Sequence, residues 1–277
     1  MPTVTTNTAA NSALRFLNYN AMMSGSSVSK LASGSRIVKA SDDAAGLAIG
    51  TRLKADVTAL TQAGINASQG ASVVQVADGG LSRIGDVLQR MKALAAQSLS
   101  GVPTDTERGF IDAEYQELVA EITDVADTTR FNGQSLLDGA TATADYFVGT
   151  DVNDTITVDF GILAASAAAF DATTLGVNGN VASAGAATTE MAAIDQAIDW
   201  VSEARATAGA LISRFEFRGQ QIATSLENID AAKSAIMDVD LAAEQSKLVS
   251  SQVLVQAAVS AVSQANQIPQ SLLRVLQ

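Results

Sequence analysis

The stretch IDQAIDWVSEARATAGALISRFEFRGQQIATSLENIDAAKSAI, residues 194–236, decides the fold. Steps of four and three residues in alternation meet Ile194, Ile198, Val201, Arg205, Ala208, Ile212, Phe215, Gly219, Ile222, Leu226, Ile229, Lys233 and Ile236 without a slip in register. Nine of these thirteen positions are large and apolar, and a 3.5-residue period held over about six heptads predicts a long helix packed as a coiled coil. At 1.5 Å per residue it would run roughly 65 Å. Arg205, Gly219 and Lys233 interrupt the seam every 14 residues.

Working outward, an earlier stretch offers a partner. Leu81, Ile84, Leu88, Met91 and Ala95 repeat the same step, and Ile111, Leu118 and Ile122 mark another helical face. Ser41 followed by Asp42 and Asp43 reads as an N-cap with acids in the first turn, where the helix dipole favours negative charge. The helix it opens is expected to reach about Ala77, with Gly79-Gly80 loosening or kinking the path. Gly101 and Pro103 predict a break between Ser100 and Thr106.

The middle changes character. Ile156, Val158 and Phe160 alternate with Thr155, Thr157 and Asp159, a period-2 strand, with Asp145–Val148 as its hairpin partner across Asp151–Asp154. Asn132-Gly133 signals another hairpin turn. Beyond Gly161 the pattern is weak up to Glu190, which predicts loop and short strands. The fold class is therefore mainly α: long antiparallel helices in a coiled-coil rod, a small β-hairpin region, and the chain ends paired as a helical core.

Charge supports that pairing. The chain carries −12 in all, yet residues 1–41 contain no Asp or Glu, and neither do residues 245–277. The two ends sum to +6, while residues 42–244 hold all 29 acids and sum to −18. Ends buried together, or against neighbouring copies, avoid desolvating carboxylates. The net charge argues against non-specific nucleic-acid or anionic-membrane binding. Cysteine and histidine are both absent, which removes Cys–His and Ser–His–Asp nucleophile systems, Cys/His zinc sites and disulfides. Pairs such as Asp42-Asp43 and Asp238/Asp240 read as caps and solvated charge, not as acid–base or Ca²⁺ sites. No catalytic, cofactor or metal site is expected, and no enzyme. The start lacks a basic segment followed by an apolar one, so no cleaved signal is expected. Residues 248–273 carry no charge, but Gln252, Gln256, Ser260, Ser263, Gln264, Asn266 and Gln267 interrupt them too often for a lipid span, so membrane insertion is not expected.

Three motifs, in order, resemble bacterial flagellins. Ser29-Lys30-Leu31-Ala32-Ser33-Gly34-Ser35-Arg36-Ile37, leading into Lys39-Ala40-Ser41-Asp42-Asp43-Ala44-Ala45-Gly46-Leu47-Ala48-Ile49, is similar to that family's amino-terminal segment. Thr129-Arg130-Phe131-Asn132-Gly133 with Leu136-Leu137-Asp138-Gly139 resembles its central turn. Ala265-Asn266-Gln267-Ile268-Pro269-Gln270 resembles its terminal motif. The resemblance implies an inner core formed by residues 1–43 and 236–277. A helical rod with a β-hairpin would span 44–235, including a short variable segment at about 140–190 and no large outer domain. It implies a structural subunit that polymerises into the extracellular flagellar filament for motility and is exported without a cleaved signal. Its expected partners are itself, sister flagellins, the hook–filament junction and filament cap proteins, the export chaperone and the export apparatus. A junction protein at the hook is the alternative within the same circle, and a secreted coiled-coil adaptor is the alternative outside it.

Residues expected in the subunit core are Leu14, Leu17, Leu31, Ile37, Leu248, Val255, Val262, Ile268 and Leu272. Arg90, Leu94 and Glu114 fall where the family places the surface read by the vertebrate innate receptor; a plain rod helix is the simpler reading, and Ala93 departs from the recognised pattern. Ser166, Thr173, Thr174, Ser183, Thr188 and Thr189 lie in the expected outward segment, where some flagellins are O-glycosylated.

Overall fold

The computed structural model describes residues 7–139, 143–160 and 170–275, the last eight of these by backbone alone. In chain order the described elements are α1 (Thr8–Ser33), α2 (Ala44–Leu99), α3 (Asp105–Thr128), β1 (Arg130–Phe131), β2 (Gln134–Ser135), β3 (Thr143–Phe147), β4 (Thr155–Asp159), α4 (Ala184–Met237) and α5 (Leu241–Val275). They fall into two compact units, one of residues Met1–Val57 with Asn228–Gln277, the other Thr58–Glu227.

In the second unit α2 and α4 run antiparallel. Lys92 pairs with Asp195, Arg205 Nε with Asp78 Oδ1 at 3.0 Å, Gly70 lies under the Phe215 ring and Gly64 under Ile222. The inward column of α2 steps three and four from Leu60 through Ala67, Val74, Leu81 and Leu88 to Ala95, with Ala63, Gly70, Ala77, Ile84 and Met91 between them and Ser98 after. The α4 seam is offset from its sequence reading. Ile194, Val201, Ala208, Phe215 and Ile222 are buried, but the intervening core positions are Ala197 and Ala204, one residue before Ile198 and Arg205. Ile198, Ile212 and Leu226 occupy the half-buried flank. Small side chains at these positions let the backbones approach, and the larger neighbours cover the edge of the contact. Arg205 is thus a flank residue with an acidic partner, not a break in the core.

The cap of α2 also differs from expectation. Asp43, not Ser41, is the capping residue: its Oδ1 accepts from Gly46 N at 2.8 Å. Asp42 instead folds back to accept from Val38 N at 3.2 Å and Lys39 N at 3.0 Å, bonds that hold its carboxyl below the usual range. The helix does not stop near Ala77: α2 continues through Gly79-Gly80 to Leu99. Gly80 faces Thr129 and Leu137, where an added Cβ would lie 2.5 Å from Thr129 Oγ1 and 2.8 Å from Leu137 Cδ1, while Gly79 faces open space. The pair serves close packing on one side only.

The break after α2 ends in a capping box: Glu107 N donates to Thr104 Oγ1 at 3.4 Å and Thr104 N to Glu107 Oε2 at 2.7 Å. α3 returns antiparallel to α2, burying Ile111, Tyr115, Ile122 and Ala126. Asn132 (φ 50°) and Gly133 (φ 80°) form the two-residue turn of the β1–β2 hairpin, left-handed at both positions as that turn requires. β3 pairs with β4 in the expected hairpin, Tyr146 opposite Ile156, and starts two residues before the expected Asp145. Ile156 and Val158 point into the core, where Tyr146 meets Phe215 edge-on at 5.5 Å.

Residues 170–183 are a pinned strap, and the described part of this expected loop-and-strand region has no strand. Phe170, Leu175, Val177 and Val181 are buried. Val181 N donates to Asp112 Oδ1 at 2.7 Å, Ser98 Oγ to the Val181 carbonyl at 2.5 Å, and Gln116 Nε2 to the Gly179 carbonyl at 2.8 Å. Tyr115 Oη lies 2.8 Å from Glu190 Oε2 and 3.1 Å from the Val177 carbonyl; burial, then the bond to Glu190, pushes its phenol up. α4 begins at Ala184, six residues before Glu190, because Ser183 caps it through Ala186 N at 3.2 Å.

Gly79→Ala should stabilise the chain by about 0.5–1 kcal/mol, as for a helical glycine with room for a methyl group. Gly80→Ala should destabilise it by about 1–3 kcal/mol through overpacking. Urea unfolding of the two variants checks this; shifts in the same direction would rule out the one-sided packing account.

Candidate subunit interface

The first unit is built on α1 and α5, which run antiparallel. Asn7 Nδ2 donates to the Ala265 carbonyl at 2.8 Å near one end, and Ser27 Oγ to Glu244 Oε1 at 2.6 Å near the other. The side of α1 turned inward carries Ala10, Ala13, Leu17, Asn20, Ser24, Ser27 and Leu31, a three-four repeat. The matching side of α5 carries Glu244, Leu248, Ser251, Val255, Ala258, Val262 and Ala265. Most of these are small or polar, so the pair is close but buries modest apolar area.

The larger residues are outside. Phe16 is 58% exposed, Met22 66%, and Tyr19, Met23 and Val28 are also exposed on α1. On α5, Val253 is 58% exposed, with Val249, Leu254 and Val259 beside it in sequence. Arg15 lies over the Phe16 ring at 5.7 Å from its centroid. Such apolar exposure on a helix pair marks an interaction surface.

The base of the pair is fastened through the backbone. Arg36 N donates to the Met237 carbonyl at 2.6 Å, Ser35 Oγ to the same oxygen at 3.0 Å, and Val239 N to the Gly34 carbonyl at 3.1 Å. Asp240 then caps α5 by accepting from Ala243 N at 3.0 Å. Among the described residues, one carboxylate enters the helix contact. Glu244 is buried and accepts from Ser27 and, at 3.2 Å, from Lys247 Nζ. The Ser27 bond, then Lys247, holds its carboxyl below the usual glutamate range.

Of the sequence-predicted core residues, Ile37 and Leu248 are buried, and Leu17, Leu31, Val255 and Val262 are half-buried between the helices. Leu14 is exposed on the outer face. The side chains of Ile268 and Leu272 lie outside the described residues. Ser27 and Glu244 escape the charge pattern because the acid-free end begins at residue 245, one past Glu244; the Glu244/Lys247 spacing is the signal in the sequence.

The other nominated groups sit on the second unit. Arg90 Nε and Nη2 both donate to Glu114 Oε1, at 2.8 and 2.5 Å, whereas Leu94 is 2% exposed. The three do not make one exposed patch, because Leu94 belongs to the inward side of α2. Thr173 and Ser183 are exposed and Thr174 half-buried; Thr188 and Thr189 are exposed on α4, donating to the Ala184 and Gly185 carbonyls at 2.8 and 3.4 Å. Ser166 lies outside the described residues. The strap carrying Thr173 and Thr174 is packed down, so it is not the free outward loop expected.

Comparison with known proteins agrees with this architecture. The bacterial flagellin N-terminal helical region matches residues 4–142, and the bacterial flagellin C-terminal helical region matches residues 191–276. The chain is 36% identical over 272 residues to a flagellin of Halalkalibacterium halodurans, covering 98% of both chains. It is 33% identical over 287 residues to the flagellar filament 33 kDa core protein of Treponema phagedenis, again covering 98% of both. The crystal structure of Bacillus cereus flagellin superposes with a TM-score of 0.51 at 28% identity, covering 61% of this chain and 94% of that one. A structure assigned to a flagellar hook-associated protein of Vibrio parahaemolyticus shares the fold, with a TM-score of 0.55 at 15% identity over 71% of this chain and all of that one.

The chain belongs to the bacterial flagellin family. It is a structural subunit of the flagellar filament, exported from the cell, that associates with its own kind for motility.

Because Glu244 has a lowered folded-state pKa, its bonds contribute fully above the ordinary glutamate range and are lost as pH falls through the lower folded value. The protection of α1 and α5 amides in assembled filaments, relative to their intrinsic exchange rates, should therefore fall on acidification below about pH 4.5, more in the wild type than in Glu244→Gln. Equal acid sensitivity of the two would remove Glu244 from this role.

Proposed function

We propose that the exposed apolar faces of α1 and α5 are the surfaces through which copies pack into the filament core, and that both arms are poorly ordered in the free monomer and fold as they are covered. The observation that carries this reading is the placement of Phe16, Tyr19, Met22 and Val253 away from the α1–α5 contact. Ordering entropy of about 1–2 kcal/mol per residue opposes folding of an isolated pair. Burial against neighbours, at about 1.5–3 kcal/mol for each large side chain, offsets it.

α5 is long and apolar enough over Leu241–Gln267 to cross a membrane by length and composition. Packing against neighbouring subunits is the favoured reading, because Gln252, Gln256 and Gln264 interrupt the stretch and protein neighbours satisfy amides where lipid does not. Before export, the same helix is the segment for a chaperone to cover. At the filament ends, the hook–filament junction and cap proteins meet the same faces, and sister flagellins with similar arms share the lattice.

Hydrogen exchange on free monomer and seeded filament tests this. The amides of α1 and α5 should exchange within seconds in the monomer and be protected by several orders of magnitude in the filament. Equal protection in both states would sink the coupled-folding reading. The double variant Phe16→Asp, Val253→Asp should raise the critical concentration for pelleting by about a hundredfold or more, because it takes two apolar side chains out of the interface and desolvates two charges there.

A further inference from the structure

Two faces of the Thr58–Glu227 unit lie outside its core and carry opposite charge. On α3, Phe110, Glu114, Glu117, Glu121 and Asp124 step four and three along one exposed side. Phe110 is 73% exposed. Glu114 is answered by Arg90, but among the described residues Glu117, Glu121 and Asp124 have no basic partner.

The other face lies on α4 beside β4. A cleft of about 330 Å³ is lined by Thr155, Ile156, Arg214, Phe217, Arg218 and Gln221. Phe217 is 71% exposed. Arg218 is held by Asp154 at 3.1 Å and by Gln221 at 3.3 Å, whereas Arg214 has no acidic partner among the described residues. From 205 to 226 three arginines stand against the single acid Glu216, in a chain whose net charge is −12.

We propose that the α3 stripe of one copy seats on the α4–β4 cleft of a second copy, with Phe110 beside Phe217 and Arg214 among Glu117, Glu121 and Asp124. This rests on the reading of the chain as a filament subunit and adds a rod contact separate from the arms. Two different patches meeting head to tail make a heterologous contact, which propagates in an open series. An exposed aromatic with an arginine beside it is the usual energetic centre of a protein contact, and the guanidinium fork suits carboxylates. The opposed charges select this seating over pairing of either face with itself.

Seeded polymerisation of the full chain, read by pelleting, tests the contact. Arg214→Glu should raise the critical concentration at least about tenfold, and the pair Glu117→Arg, Glu121→Arg should do the same. Combining all three reversals should return it to within about threefold of wild type. Should Arg214→Glu lower the monomer melting temperature, Arg214→Gln carries the expectation at about threefold. Assembly of the single reversals at the wild-type concentration, or no rescue in the combination, overturns the proposal while wild-type filaments uphold the subunit reading. Wild-type chain that fails to elongate seeds removes both.

Discussion

The α1–α5 pair has more apolar surface than two helices can hide from each other. Each helix can turn only one stripe to its partner, and the stripes chosen here are rich in alanine and serine. The aromatic and methionine side chains of α1 lie on the other side. An ordinary helical hairpin would place its largest residues in the shared seam, because burial scales with apolar area. Here the intramolecular seam holds mostly small or polar residues, and the aromatic and methionine side chains face outward. That inversion gives the chain a reason to associate before any partner is specified, and it agrees with the family's role as a filament subunit.

A weak seam needs help with register. Shifting an antiparallel pair by one heptad would leave much of an alanine-rich contact intact, so the small residues discriminate poorly. The Ser27–Glu244 bond does discriminate, since a slipped register strands a buried carboxylate. A polar residue in an otherwise apolar seam commonly sets register at some cost in stability. The backbone bonds from Arg36 and Val239, with the Ser35 hydroxyl, fix the same alignment at the root.

Much of the fold was legible because helix and strand periods differ and the chain keeps both cleanly. The α2 column, the α3 face and the β3–β4 alternation were read from spacing, and the pairing of the ends from the missing acids. Two features were hidden for a shared reason: small residues do not announce which side they face. Ala197 and Ala204 lost to Ile198 and Arg205 in a pattern that steps strictly by four and three, although the helix uses the alanines for contact. Gly79 and Gly80 looked alike, but only Gly80 has Thr129 and Leu137 above it. Leu14 keeps the core spacing yet is exposed on α1, because periodicity marks an apolar stripe without saying what covers it. The strap at 170–183 was unreadable because its order comes from Asp112, Ser98, Tyr115 and Gln116, all distant in sequence.

The division of charge completes the argument about assembly. All acids lie between residues 42 and 244, and only Glu244, the last of them, enters the helix contact, with its own serine and lysine. Beyond it, the arms can be packed against copies of themselves without desolvating a carboxylate. The acids displaced from the arms accumulate on the rod, where like charges on neighbouring copies repel across distances of about 10 Å or less in salt. Close approach of the rods therefore requires local exceptions to the acidic surface, and the arginine-rich segment of α4 around Phe217 is such an exception.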